Sequence, residues 1–262
     1  MPFTFSHPAA ILPFKRLCPR WLNLPALILG SMAPDVPYFF LRQNLGHAAH
    51  TLPGSIKIAL PIGFVLLCAF YLLHKPLCYL LPMPHRGALF PKTTKLPQLK
   101  PFFIVSVLAS ILIGVWTHNF WDAFTHVGGY FAVRLSILQR VVLQHDKMAL
   151  HGYTVVKLIS SVVGLALIAF TYWRWLISQP RPATPANETD GWRYSLVGSL
   201  VVISFIVAIP FAAYLGSRFS GYGAVKIFVV REAVCALTFF VPAITLAAIF
   251  FYLKKGGAGE NL

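Results

Sequence analysis

Five long apolar runs set the pattern of this chain, at roughly 56–73, 102–120, 154–177, 194–216 and 228–252. Each is long enough to cross a bilayer with some tilt. Between them lie a basic, proline-rich stretch at 74–101, a segment at 121–153, a loop at 178–193 and a short link near 217–227. The loop is marked by Gln179-Pro-Arg-Pro-Ala-Thr-Pro185, a composition that neither helix nor strand tolerates. The pattern predicts an all-α protein, a polytopic transmembrane helical bundle over 56–253 with a solvated tail at 254–262. Residues 1–55 read as an N-terminal interfacial helical segment.

That segment is apolar but repeatedly broken. Ser6 is a candidate N-cap for a short helix, with Pro8 in its first turn. Leu24 to Phe40 is interrupted by Pro34 and Pro37, which flank Asp35 and stop any helix from spanning. The expectation is a partly embedded hairpin presenting Asp35 at the water side. Gly46-His-Ala-Ala-His50 follows, and its spacing predicts His47 and His50 on one helical face. Prolines at 2, 8, 13 and 19 break residues 1–20, so no signal peptide is expected.

Composition sharpens the membrane assignment. Hydrophobic residues make up 57% of the 262 and charged ones only 11%, too few to coat a soluble domain of this length. The net charge of +15 arises from 22 Lys and Arg against 7 acids. With no interleaved basic and aromatic patch, this charge points to anionic membrane lipids as partners and not to nucleic acid. The four cysteines, Cys18, Cys68, Cys78 and Cys235, have no metal-ligand spacing and no disulfide pattern.

With acids so scarce, those inside apolar stretches stand out. Trp116-Thr-His-Asn-Phe-Trp-Asp-Ala-Phe-Thr-His126 carries His118, Asp122 and His126, each four residues from the next. Each step of four rises about 6 Å and rotates only about 40°, so all three share one helical face. Such groups near a membrane are costly unless they pair, meet water or hold an ion. His118 and His126 lie about 12 Å apart along the axis, too far to grip one ion together. Asp122 stands between them and has two oxygens with which to bridge two metals.

If every run crosses once, residues 1–55 and 121–153 lie on the same side of the membrane. His7, Asp35, His47, His50, His118, Asp122 and His126 can then converge as metal ligands, whereas His74 and His85 fall on the opposite side. His145 and Asp146 lie on the site's side and are the candidates for moving protons. Neutral imidazoles with carboxylates suit a divalent metal, zinc first. Lys and Arg divide evenly between the two sides, so the charge pattern gives no orientation.

The opening MPFTFSHPAA, the segment LILGSMAPDVPYF and the stretch THNFWDAFTH resemble a bacterial integral membrane family of unknown function. Its members begin Met-Pro-Phe-Thr-x-Ser-His-Pro-Ala. The same elements are similar to those of membrane-bound metal-dependent hydrolases, on whose pattern His7, Pro34-Asp35, His118, Asp122 and Thr125 fall. The order of His and Asp residues is more loosely similar to zinc-dependent phospholipase C. The resemblance implies a metal site in a bacterial inner membrane protein. The expected function is a membrane-embedded metal-dependent hydrolase of phosphoester or lipid-linked substrates. The alternative is a non-enzymatic scaffold, or a transporter whose His/Asp site carries a metal or protons. Polar residues gathered at span ends favour a surface site over a transport path.

Overall fold

The computed structural model describes residues 3–17, 21–40, 42–93, 101–145, 148–180, 190–217 and 222–257. A 3-10 helix at Thr4–Ile11 runs into α1 (Leu12–Leu17), followed by α2 (Leu24–Gly30), α3 (Val36–Phe39), α4 (Gln43–Ala49) and α5 (Leu52–Gly54). Then come α6 (Leu60–Leu80), α7 (His85–Leu89), α8 (Pro101–Thr125), α9 (Ser136–Gln139), the strands β1 (Val141–His145) and β2 (Met148–His151), α10 (Gly152–Ile177), α11 (Gly191–Gly216) and α12 (Tyr222–Gly257). The protein is all-α in class, and among the described residues five helices are long and apolar enough to span a membrane. They are Leu52–Leu80, Pro101–Thr125, Gly152–Ile177, Gly191–Gly216 and Ile227–Lys254. Each contains one of the apolar runs and extends past it, because backbone hydrogen bonding continues into the interface after hydropathy has faded.

The chain divides into two compact units, Met1–Ala69 with Pro97–Trp175 and Phe70–Leu96 with Leu176–Leu262. In the first, α2 packs on α8 with backbone against backbone. A Cβ at Gly30 would run into the Ile111 carbonyl, and one at Gly114 into the Leu27 carbonyl. Small residues permit this approach, as they do between helices in lipid. Asn23 caps α2 by accepting from the Ala26 amide at 2.9 Å, and its own amide donates to Ser110 Oγ at 2.8 Å. The Ser106 hydroxyl donates to the Trp21 carbonyl at 2.7 Å. The 3-10 helix is held against α10, where the Phe3 amide donates to Ser161 Oγ at 3.0 Å and a Cβ at Gly164 would stand 2.9 Å from the Ser6 carbonyl.

Local structure departs from expectation at several points. The first helix starts at Thr4, before the expected cap, and the Ser6 hydroxyl donates back to the Phe3 carbonyl at 2.6 Å. The proline-broken segment does not deliver Asp35 to water. Its 3-10 turn, Ala33–Asp35, folds inward, and Asp35 is completely buried. In segment 121–153 α8 continues through Asp122 to Thr125, as the spacing of His118 and Asp122 predicts, but stops one residue short of His126, and β1 and β2 add an antiparallel hairpin pairing Leu143 with Leu150 and His145 with Met148.

In the second unit Asp190 precedes α11. It accepts from the Met83 amide at 2.5 Å and from Arg193 Nη1 at 2.6 Å, with Arg86 Nη2 at 3.8 Å. Arg193 is buried, its guanidinium 4.5 Å from the Trp192 ring centroid and 5.3 Å from that of Tyr79. A buried cation needs such partners, and these tie 83–86 to the start of α11.

The α2–α8 crossing makes a stability prediction. Gly114→Val should destabilise the protein by about 1–3 kcal/mol or more, because the clash is with backbone that cannot rotate away. Thermal unfolding in detergent should show a lower midpoint than wild type, while Gly198→Ala, at an open position inside α11, should not lower it.

Candidate metal centre

The α2–α8 contact brings the Ser31 carbonyl, just past α2, to His118 on α8. His118 Nδ1 donates to it at 2.7 Å. The next turn of chain carries Asp35 into the same space, where the Thr4 hydroxyl donates to its Oδ2 at 2.7 Å. His50 caps the C-terminal end of α4, and its Nδ1 donates to the Gly46 carbonyl at 2.7 Å. Asp122 lies one turn beyond His118 on α8. Asp35, His50, His118 and Asp122 thus each place a ligand-type atom within 4.8 Å of all the others.

The hydrogen bonds fix what these atoms are. A carbonyl oxygen only accepts, so Nδ1 carries the proton in both His50 and His118. In the neutral rings each Nε2 is then a bare lone pair. The two Nε2 atoms stand 3.1 Å apart. Asp35 Oδ1 is 3.5 Å from both, and Asp122 Oδ2 is 3.3 Å from both. Four acceptors therefore face one another, and neither Asp35 Oδ1 nor Asp122 Oδ2 makes an aligned hydrogen bond. Such a set is stable only with positive charge at its middle, as a proton or as a metal ion. Ligands about 2.0–2.1 Å from a tetrahedral zinc stand about 3.3–3.4 Å from one another, close to all five of these distances. The donor set fits a divalent ion, and carbonyls that orient the imidazoles are the usual outer support of one.

Charge around the group follows from burial and proximity. Burial disfavours imidazolium at His50, but the carboxylates of Asp122 and Asp35 outweigh it and push its pKa up to about 9. Burial would raise Asp35, yet His118 and His50 hold it well below the usual carboxylate range. His7 is pushed down to about 3 by burial and then by the charge of His118. Burial likewise takes His126 down to about 4, against the pull of Asp122. Tyr38 is raised to about 12 by burial and by the Asp35 and Asp122 charges.

The remaining sequence candidates are placed unevenly. His7 stacks on His118, with ring centroids 3.8 Å apart, and its Nε2 is 3.7 Å from Asp122 Oδ1. His126 Nδ1 is 3.5 Å from the same oxygen. His47 does not join them. It is exposed and its Nδ1 meets the Tyr38 hydroxyl at 3.4 Å, and both it and His50 lie against the Tyr38 ring, with centroids 5.8 Å away in each case. His145 is the last residue of β1, and Asp146 lies outside the described residues. Thr4, Ser31 and Gly46 went unnoticed in the sequence. Thr4 had a signal in its place beside His7 in the opening motif, whereas a supporting backbone carbonyl has none.

An all-helical membrane protein with a buried Asp/His/His/Asp group able to hold a metal ion is the class that fold and site define. The chain belongs to the family described as Domain of unknown function (DUF4184), which it matches over residues 1–251. No curated protein and no solved structure matches the chain.

A pH prediction follows for the metal-free protein. The folded pKa of His50 is raised, so its stabilising effect is complete below the unfolded value near 6.5 and is lost as pH rises through about 9. In chelator, the melting midpoint of wild type should exceed that of His50→Gln at pH 6. The gap should close by pH 10, and a gap independent of pH would contradict this charge assignment.

Proposed function

We propose that this protein is a membrane-embedded metal-dependent hydrolase that uses zinc and acts on phosphoester or lipid-linked substrates. The observation that carries this reading is the convergence of four acceptors, two of them fixed by the Ser31 and Gly46 carbonyls, on one point suited to a cation. Nitrogen and oxygen ligands without thiolate are typical of catalytic zinc, whereas structural zinc sites are rich in cysteine. A divalent ion held there would polarise a phosphoryl or carbonyl oxygen and make water acidic enough to attack at neutral pH.

The chain's own residues would do the rest. Ser31 and Gly46 hold the imidazoles in register, and Thr4 holds Asp35. His50 and His126, with side chains 20% and 31% exposed, mark the side from which a substrate enters. Water would add across the ester, the oxygen–phosphorus or oxygen–acyl bond would break, and the departing alcohol would take up a proton. The relay expected of His145 and Asp146 belongs to the same proposal. Trp116, Phe120, Val127 and Tyr130 expose apolar surface on and just beyond the end of α8 that carries the group, which favours a substrate with a lipid chain. Membrane lipids are the proposed partners, and the bacterial inner membrane is the proposed location.

The test is turnover of a panel of phospholipids and phosphomonoesters in liposomes by zinc-loaded protein. Wild type should be active, and His118→Ala should lose at least about a hundredfold, since even outer supports of a metal site cost 10–100-fold. A metal-loaded wild type that turns over none of the panel would favour transport or scaffolding. Activity that persists in His118→Ala would place the reaction elsewhere.

A further inference from the structure

Between α8 and α10 the chain turns back along the helix it has just left. Gly128 makes the reversal, at φ 82° in the left-handed region open to glycine. The amides of Phe131 and Ala132 then both donate to the Ala123 carbonyl at 3.0 Å, just inside the end of α8. The Phe131 ring stacks on that of Phe124, with centroids 4.1 Å apart. At the far end, the amide of Gly152, the first residue of α10, donates to the Arg140 carbonyl at 2.9 Å. Residues 131–140 are thus bound to the ends of two helices that are long and apolar enough to span a membrane. Their backbone lies level with those ends, not out in water beyond them.

The surface that this segment shows is apolar. Val127 is 80% exposed, Ile137 73% and Leu143 63%, with Tyr130, Val133 and Val142 exposed beside them. Val141, Val142 and Leu143 are successive residues of β1 and all are exposed, so the strand is covered on neither face. A bare two-stranded hairpin is at best marginally stable in water, and apolar surface on this scale marks an interaction site. We infer that residues 127–144 form a collar seated in the lipid interface of the leaflet on the side of the Asp/His group. Lipid is the partner because the patch continues into two spans. Phe120 on α8, whose ring centroid is 5.7 Å from that of Phe131, is exposed, as are Leu158 and Ile159 on α10. The Arg134 guanidinium carbon lies 3.7 Å from the Tyr130 ring centroid, a pairing of cation and aromatic that suits headgroup level. Across 126–151 the sequence has Arg134, Arg140 and Lys147 against Asp146 alone, a balance that draws anionic headgroups. The hydrocarbon core is excluded, because unpaired N–H and C=O groups on the edges of a two-stranded sheet would find no partner there. Asp122 directly precedes Ala123, so the Asp/His group opens at headgroup depth, within reach of a lipid that never leaves its leaflet.

The experiment places an environment-sensitive fluorophore on Ile137→Cys and on Leu143→Cys, in full-length protein whose four native cysteines are replaced by alanine. The protein is reconstituted in vesicles of phosphatidylcholine and phosphatidylglycerol, with melting curves to show that each labelled variant is folded. Emission should be blue-shifted relative to the dye in water. It should be lost most to a lipid carrying a nitroxide near its headgroup, less to one with the nitroxide near the chain end, and least to aqueous iodide. Strong quenching by iodide alone would put the segment in water and overturn the collar. Protection from all three quenchers would mean that protein covers it, as a second copy or another partner, and would overturn lipid as the occupant. Strongest quenching from the chain-end nitroxide would overturn the interfacial depth. Chelator should change none of these readings, so the collar stands or falls independently of the metal site.

Discussion

Everything at this centre depends on two helices touching through their backbones. Gly30 and Gly114 let α2 lie on α8 with no side chain between them. The contact sets the depth at which Ser31 meets His118, which fixes the tautomer of His118 and aims its Nε2 at the carboxylates. A methyl group at either glycine would push the carbonyl away and leave the imidazole free to turn. The geometry of the Asp/His group is therefore set by close packing one residue from Ser31 and one turn from His118.

The same economy appears in how the group is supplied. Asp35 is buried on a turn too short to be a helix of any length, and His50 sits where α4 stops. Neither belongs to a span. The membrane helix contributes His118 and Asp122, one turn apart, and short N-terminal elements fold over them to complete the set. Lipid favours this division, because a long helix cannot bend to surround an ion while proline-broken pieces can.

Much of this was legible in the sequence, for identifiable reasons. Spans are read from hydropathy, and an acid inside an apolar run is conspicuous, so the five helices and the Asp35, His118 and Asp122 candidates could be found without coordinates. Spacing put His47 and His50 on one face and both meet Tyr38, but only His50 reaches the group, because a shared face does not say where along it the carboxylates lie. The inward turn at Asp35 was hidden for a related reason, since a proline says that a helix stops and not where the chain goes next. The hairpin at 141–151 was missed because Val141-Val-Leu-Gln-His has no strict alternation to announce a strand. Arg193 ends a stretch whose composition marks a loop, and its burial against Asp190 depends on residues more than a hundred positions earlier in the chain.

The placement of these ligands along the chain has a consequence for biogenesis. His7, Asp35 and His50 leave the ribosome before the first span, whereas His118 and Asp122 arrive at the end of the second. Until that second helix has been inserted, the N-terminal segment offers its carboxylate only Thr4 and His50, without the His118 and Asp122 that complete the group, and must wait, hydrated, at the membrane surface. Docking of the amino terminus is thus a late step in maturation, and it can succeed only in a chain whose first two crossings have the correct topology.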